Sequence, residues 1–188
     1  DLRETAPSML LYASRVWERL NSEMQMKIND STWVKTLTYN LFAPIGYKMA
    51  DLHIQKKNPN ILWRLLHAIA YLLLFRPLKD KHGLTNLKHA YTGGAILGPG
   101  IFRFFRAMGV NIKQVYGITE TGICTMHRDD DVAFESVGTP LGAGRKVRIS
   151  DEGEILVDAA HCFDGYYKNE AEYREKTRGG WFHTGDAG

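Results

Sequence analysis

The sequence predicts an α/β protein in which a mostly helical first part precedes a β-α-β unit and a β-rich end. Apolar residues recur at helical spacing over the first third of the chain, and the pattern changes near Gly83 to short apolar runs. Beyond Ser136 short strand-like segments dominate. We therefore divide the chain into a helical segment, 1–86, and an α/β segment with a β-rich end, 87–188, which together form part of one domain.

Three helices are expected in the first part. The predicted helices cover residues 8–28, about 31–54 and about 60–75. In the first of them, apolar side chains such as Leu10 and Trp17 fall on one face of a helix with 3.6 residues per turn.

A β-α-β unit is expected next. Residues 87–91 read as a strand, 98–108 as a helix that ends at Gly109, and 112–116 as a second strand. A connection of this length favours parallel strands with the helix packed across them. The loop 116–120 would then lie at the carboxyl end of a strand, where ligands bind in α/β proteins.

The β-rich end is expected to contain a hairpin. Residues 146–149 and 154–157 read as strands, and the four residues between them, Ser150 to Gly153, are turn formers.

Composition indicates a globular protein without a nucleic-acid groove. The chain has 188 residues, of which 44% are hydrophobic, and its net charge is +3. Cys124 and Cys162 lack the spacing of a zinc site, so we expect a reducing, cytoplasmic setting. No export leader is visible at the N-terminus, and we expect the chain to be part of a longer one.

A glycine-containing loop follows the second predicted strand. There the sequence reads Val115-Tyr116-Gly117-Ile118-Thr119-Glu120-Thr121-Gly122. Gly117 would let another group approach the backbone, Thr119 offers a hydroxyl to a phosphate oxygen, and Glu120 offers the hard oxygen that Mg²⁺ prefers. The alternative is a turn in which Thr119 and Glu120 are merely solvated.

A second carboxylate lies among glycines at the end of the chain. The final residues read Gly180-Trp181-Phe182-His183-Thr184-Gly185-Asp186-Ala187-Gly188. The ionised carboxylate of Asp186 could accept hydrogen bonds from both hydroxyls of a ribose. The alternative is a turn in which Asp186 bonds its own backbone.

Together, these two strings resemble the Y-G-x-T-E and G-W-x-x-T-G-D-x-G motifs of the adenylate-forming synthetases. Residues 91–95, 153–157 and 165–167 also occur in that family's order and at about its intervals. The resemblance implies that ATP binds here, with Tyr116 stacked on adenine, Thr119 on the phosphate, Glu120 on Mg²⁺ and Asp186 on the ribose. Gly117 and Ile118 would lie in the same loop.

The resemblance also implies a role for three small residues at the end of the first predicted strand of the β-α-β unit. Gly93, Gly94 and Ala95 would line the face of adenine opposite the tyrosine, and Gln114 would point its amide toward the adenine amino group. The alternative for the glycines is a tight strand-to-helix turn, and both roles can hold together.

The first half narrows the resemblance to the long-chain acyl-CoA synthetases. Residues 1–4 and 14–20 are similar to the D-L-R-E and P-R-V-W-E-K-I stretches of those enzymes, with Ser14 in place of proline, and 21–86 would be their helical insertion. This resemblance implies a ligase that converts a long-chain fatty acid to acyl-AMP with ATP and then transfers the acyl group to coenzyme A. Another adenylate-forming ligase, acting on a different carboxylic acid, is the alternative.

Some of the family's features are different or absent. Residues 158–160 and 142–144 depart from the usual glycine and proline turns. The family's phosphate loop and its C-terminal lysine have no counterpart in the 188 residues. The chain alone is therefore expected to be inactive, and exposed strand edges would favour self-association into homo-oligomers.

The segment 55–82 combines an apolar run with basic ends. It contains one acidic residue, Asp80, and six basic ones: Lys56, Lys57, Arg64, Arg76, Lys79 and Lys81. The run 61–75 would be a helix roughly 22 Å long, too short to cross a bilayer. A buried core or tunnel-lining helix is the commoner use of such a run. Peripheral contact with the inner face of the membrane, including a non-catalytic docking role, is the alternative.

Overall fold

The computed structural model describes residues 2–142 and 144–188. Two residues lie outside the described ones. They are Asp1, in the stretch 1–4 that resembles the long-chain enzymes, and Ala143, in the stretch 142–144 that departs from the family's pattern. The described chain forms two sheets with helices packed mainly on the first, in agreement with the predicted α/β class.

The first sheet is mixed. Its strand order is β1-β2-β3-β4-β5, with the first three strands parallel and the last two antiparallel. The strands are β1 Met9–Ala13, β2 His89–Gly93, β3 Ile112–Ile118, β4 Gly122–Met126 and β5 Thr139–Pro140. The predicted β-α-β unit is confirmed as β2, the helix Pro99–Ala107 and β3.

The first predicted helix is wrong over its first turns. Residues 9–13 form β1, parallel to β2, and the helix that follows covers only Ser14–Asn29. Burial in β1 alternates, since Leu10 is 8% exposed and Leu11 is 52% exposed. Residues 9–13 are extended because they pair with a strand about eighty positions away in the sequence. The spacing of the local apolar residues gives no sign of this pairing.

The other predicted helices are confirmed. The structure contains α1 Leu2–Thr5, α2 Ser14–Asn29, α3 Trp33–Ile54, α4 Ile61–Ala70, α5 Arg76–Lys81, α6 Pro99–Ala107 and α7 Glu170–Lys176. A π-helical segment, Tyr71–Phe75, joins α4 to α5 without a break, and Ala159–His161 is a 3-10 turn.

The helix Ile61–Lys81 is longer than the sequence indicated. It has 21 residues, and by length and composition alone it could cross a membrane, although a buried helix of a soluble protein can pass the same test. Only 11% of its most apolar window is buried within the described residues, so this part of the chain does not itself cover most of the helix.

The main core lies between the first sheet and the helices. Trp17 and Phe105 are fully buried there, with ring centroids 5.1 Å apart, and the Trp17 indole N–H donates to the carbonyl of Tyr91 at 3.0 Å. Because β1 and α2 pack directly on β2, the division at residue 86 marks a change of composition and not a gap in packing.

The second sheet carries the chain terminus. Its order is β6-β7-β9-β8, formed by β6 Val147–Ile149, β7 Glu154–Asp158, β8 Thr177–Arg178 and β9 Trp181–Ala187. The predicted hairpin is confirmed, since β6 and β7 pair antiparallel. A small core containing Cys124 and Val157 packs against Tyr116 and so holds the second sheet beside the first.

Candidate functional site

A cavity of about 880 Å³ opens between the two sheets. Its wall includes most of the predicted site residues, namely Gly94, Ala95, Gln114, Tyr116, Gly117, Ile118 and Asp186. Gly93, Thr119 and Glu120 are outside that wall. The cavity lies at the carboxyl ends of β2 and β3, where the predicted parallel topology places a ligand.

Tyr116 and Asp186 meet across this cavity. The tyrosine hydroxyl donates to Oδ2 of Asp186 at 2.7 Å. A register shift between Tyr116 and Gly117 interrupts the pairing with β4 at this point, and such bulges redirect side chains. Burial, together with the Asp186 acceptor, raises the pKa of Tyr116, so the phenol stays protonated and remains a donor.

Asp186 keeps acceptor capacity for a ligand. It is exposed, and within the described residues its second oxygen, Oδ1, accepts no hydrogen bond. A carboxylate with one oxygen anchored and one free suits the paired hydroxyls of a ribose.

Glu154 holds the turn that presents Asp186, and sequence reasoning missed this role. Its Oε1 accepts from the backbone N–H of Gly185 at 2.8 Å, and its Oε2 lies 2.8 Å from Nδ1 of His183. Hydrogen bonding from His183, and then from Gly185, lowers the pKa of the Glu154 carboxyl. Gly185 has a φ of +80°, which glycine adopts without strain.

The small residues Gly93, Gly94 and Ala95 have two different roles in the structure. Gly94 and Ala95 line the cavity, and a Cβ at Gly94 would meet nothing within 4 Å, so a flat ring can approach there. Gly93 instead packs on β3, where an added Cβ would lie 2.8 Å from Cγ2 of Val115. The hydroxyl of Ser14 donates to the carbonyl of Ala95 at 2.5 Å and so holds the backbone of this segment in place.

Gln114 is a buried positioning residue in this structure. Its side-chain amide donates to the carbonyl of Ala95 at 3.0 Å, and its Oε1 accepts from the backbone N–H of Leu97 at 3.3 Å. Both ends of the amide are thus used to hold the segment 95–97. The predicted contact with an adenine amino group stays a prediction and would have to compete with these bonds.

Gly117 lines the cavity and also lies against the protein's own backbone. A Cβ at this position would collide with the carbonyl of Gly122 on β4. The β3–β4 hairpin therefore requires glycine here, and the expected approach of a ligand to this backbone stays a prediction.

Thr119 and Glu120 occupy the turn between β3 and β4. The backbone N–H of Thr121 donates to the carbonyl of Ile118 at 3.2 Å and closes this turn. Thr119 is exposed, and within the described part of the chain its hydroxyl has no hydrogen-bond partner. Glu120 is half-buried, and its Oε1 accepts from the hydroxyl of Tyr166 at 2.8 Å.

Glu120 fits a magnesium ion only as a single protein ligand. The described residues contain no group of three or more His, Cys, Asp or Glu side chains able to hold a metal. Mg²⁺ commonly binds one or two carboxylates and completes its shell with water and substrate phosphates. The residues present fit that arrangement, with Thr119 beside Glu120 on the exposed turn.

Arg145 is a second residue that sequence reasoning missed. Its guanidinium donates to the carbonyls of Thr121 and Ile123, at 3.1 Å and 2.5 Å, and to that of His161 at 3.3 Å. These hydrogen bonds connect the β3–β4 hairpin to the 3-10 turn that follows β7. No motif in the sequence signals this role, because every acceptor is a backbone carbonyl.

Comparison with known proteins agrees with the geometry. A sequence profile described as AMP-binding enzyme matches residues 1–167. The chain belongs to the AMP-binding enzyme family. Its curated relatives include the long-chain-fatty-acid–CoA ligase FadD15 of Mycobacterium bovis, 38% identical over 97% of this chain and 30% of the relative. Fatty acyl-CoA synthetase A of Dictyostelium discoideum is 28% identical over 100% of this chain and 29% of the relative.

Solved structures of family members show the same fold. MatB from Rhodopseudomonas palustris superposes with a TM-score of 0.52 at 26% identity, over 63% of this chain and 26% of that one. The anthranilate CoA ligase AuaEII, solved with anthranoyl-AMP, gives 0.50 at 26% identity, over 64% and 25%. The chain thus spans about 30% of the curated relatives it matches.

Proposed function

We propose that the chain, within a longer protein, activates a long-chain fatty acid with ATP and passes the acyl group to coenzyme A. The observation that carries the proposal is the Tyr116–Asp186 hydrogen bond, which joins two distant motifs across one cavity. The identity to long-chain-fatty-acid–CoA ligases over nearly the whole chain supports the substrate class.

The nucleotide would use the cavity wall as follows. Adenine would lie between the ring of Tyr116 and the open backbone at Gly94 and Ala95. The ribose would donate to Asp186, whose turn Glu154 holds in place. The phosphates would extend toward the exposed hydroxyl of Thr119.

The proposed reaction has two steps. An oxygen of the fatty-acid carboxylate bonds to the α-phosphorus, the bond to the pyrophosphate oxygen breaks, and pyrophosphate leaves. The coenzyme A thiolate then attacks the acyl carbon and releases AMP. A magnesium ion at Glu120 would supply neutralisation of phosphate charge. Thr119 would orient a phosphate oxygen, and both contributions are electrostatic.

Two alternatives differ in substrate or in class. Another adenylate-forming ligase would share the nucleotide residues, and the solved relatives include a CoA ligase for anthranilate. The Trp17 helix and the long helical segment, both typical of the long-chain enzymes in our sequence analysis, favour the fatty acid. A non-catalytic docking domain would bind lipid without adenylating any acid.

The test is ATP–pyrophosphate exchange by the full-length protein, with palmitate, anthranilate or no acid. The expected result is exchange with palmitate that Asp186→Ala strongly lowers at a limiting ATP concentration and that Asp151→Ala leaves intact. Asp151 is an exposed carboxylate on the β6–β7 turn and serves as the matched control. Exchange with anthranilate alone would change the substrate class, and no exchange with any acid would overturn the enzyme assignment.

The expected cytoplasmic location belongs to the same proposal. It is supported by Cys124 and Cys162, which are free thiols in the structure, as is usual in a reducing compartment.

A further inference from the structure

The long helix of the first half turns an apolar face outward. Leu62, Leu65, Ile69, Leu72 and Leu73 recur at intervals of three and four residues and are each 47–60% exposed. This set, here called the outer stripe, contains no charged residue. Apolar residues scattered singly are normal on a protein surface, whereas a continuous stripe marks an interaction site.

The opposite side of the same helix is fixed in the core. Ala70 and Phe75 are buried, and the Phe75 ring packs so closely on α3 that a Cβ at Gly46 would clash with it. The helix therefore cannot roll to hide the stripe. For the same reason it is poorly suited to crossing a bilayer, because that position would strip Phe75 and the buried Lys79 of their protein surroundings.

The neighbouring helix α3 carries a second exposed apolar set. Trp33, Val34, Leu37 and Leu41 share one face at helical spacing and are each more than half exposed. Helix α3 packs against both α4 and the π-helical segment. Trp33, at the start of the helix, is the type of residue that favours a membrane–water boundary.

Basic side chains border the apolar surface. Lys57, Arg64, Arg76 and Lys81 are exposed before, beside and after the outer stripe, and Lys48 follows the apolar set on α3. The one acidic residue between positions 55 and 82 is Asp80. The surface thus pairs hydrocarbon with an edge of positive charge.

We propose that this surface docks on an anionic lipid bilayer, with the outer stripe at the boundary of headgroups and acyl chains. The basic border selects this occupant, because a bilayer offers hydrocarbon directly beneath a layer of phosphates. A protein partner would need acidic groups placed around an apolar patch. The docking is a binding property, and it does not depend on the ligase reaction.

The test is vesicle flotation of the full-length protein with phosphatidylcholine alone and with a phosphatidylcholine–phosphatidylglycerol mixture. We expect binding to the mixed vesicles, and at least about a tenfold loss of it in the double variant Leu65→Glu, Leu72→Glu. Met26→Glu is the matched control, since Met26 is 57% exposed on α2, outside the surface. Arg76→Glu should weaken binding at low salt, whereas Lys27→Glu, on α2, should not.

Four results would overturn the proposal. One is the absence of flotation with either vesicle. Another is unchanged flotation of the double variant. The third is a double variant that loses thermal stability or changes oligomeric mass, which would assign the surface to contact with protein. Resistance to extraction by alkaline carbonate would instead indicate a spanning helix and would also contradict surface docking. Acid activation measured on the same samples reports separately on the ligase proposal.

Discussion

The hydroxyl of Tyr166 donates a 2.8 Å hydrogen bond to Oε1 of Glu120, 46 positions earlier in the chain. A second contact supports it, since the backbone N–H of Phe163 donates to the carbonyl of Glu120 at 2.8 Å. Burial and the Glu120 acceptor raise the pKa of Tyr166 to about 12, so its hydroxyl stays a donor at neutral pH. One oxygen of the proposed metal ligand, Glu120, is therefore held by a residue from another part of the fold.

We expect Tyr166→Phe to raise the Mg²⁺ concentration needed for half-maximal binding of a fluorescent ATP analogue by about tenfold, because partners that orient a metal ligand affect metal affinity to this extent. Nucleotide binding without Mg²⁺ should change little. Tyr167→Phe is the control, since Tyr167 is 87% exposed and, among the described residues, forms no hydrogen bond with Glu120. Equal effects of the two substitutions would remove the positioning role of Tyr166.

Glu120→Gln should fail at a different step. We expect nucleotide to bind while acyl-AMP formation slows by about a hundredfold, since an amide is a poorer ligand for a hard cation. Rapid-quench measurement of acyl-AMP at increasing Mg²⁺ checks this, and added Mg²⁺ should not restore the rate. A normal rate in this variant would place the metal elsewhere.

Asp186→Ala should weaken ATP binding by on the order of 100-fold, through loss of two charge-assisted hydrogen bonds at about 1.5 kcal/mol each. Tyr116→Phe keeps the ring and removes only the anchor of Asp186, so we expect a loss of about threefold to tenfold. Isothermal titration of ATP into each full-length variant measures both. Unchanged affinity in Asp186→Ala would remove its ribose role.

The Glu154 contacts predict a pH dependence of stability. Because the folded-state pKa of Glu154 is lowered from its ordinary value of 4.5, ionised Glu154 stabilises the fold above about pH 4.5. That contribution is lost as the pH falls through the lowered pKa. We therefore expect the difference in melting temperature between wild type and Glu154→Gln to shrink below about pH 4.5.

Thermal unfolding of the two proteins between neutral and acidic pH measures this difference. Glu152→Gln, an exposed change on the same hairpin turn, should show no such trend. A constant difference for Glu154→Gln across the range would contradict the ionic role.

The 188 residues purified alone should show no ATP–pyrophosphate exchange with palmitate and Mg²⁺. The resemblance places the phosphate loop and the C-terminal lysine outside this chain, so neither the β- and γ-phosphates nor the reacting carboxylate would meet their donors. The full-length protein is the positive control. Exchange above background would mean that the chain already holds a complete adenylation site.

The sequence by itself determined the family, the β-α-β unit, the hairpin and most of the cavity wall. These features depend on short sequence motifs such as 115–122 and 180–188. In such motifs the residue types themselves determine the local backbone conformation. The helices over 31–54 and 60–75 were equally visible, since apolar spacing reports helices of this length directly.

Only the tertiary structure decided which distant groups meet. Strand β1 was hidden because parallel pairing with β2, and not local spacing, makes residues 9–13 extended. Tyr166 on Glu120 and Glu154 behind Asp186 depend on how the two sheets pack. The sequence also did not decide whether the apolar helix 61–75 is buried or exposed. Residue spacing shows which face of a helix is apolar, but only the packing of the other elements determines whether the core covers that face.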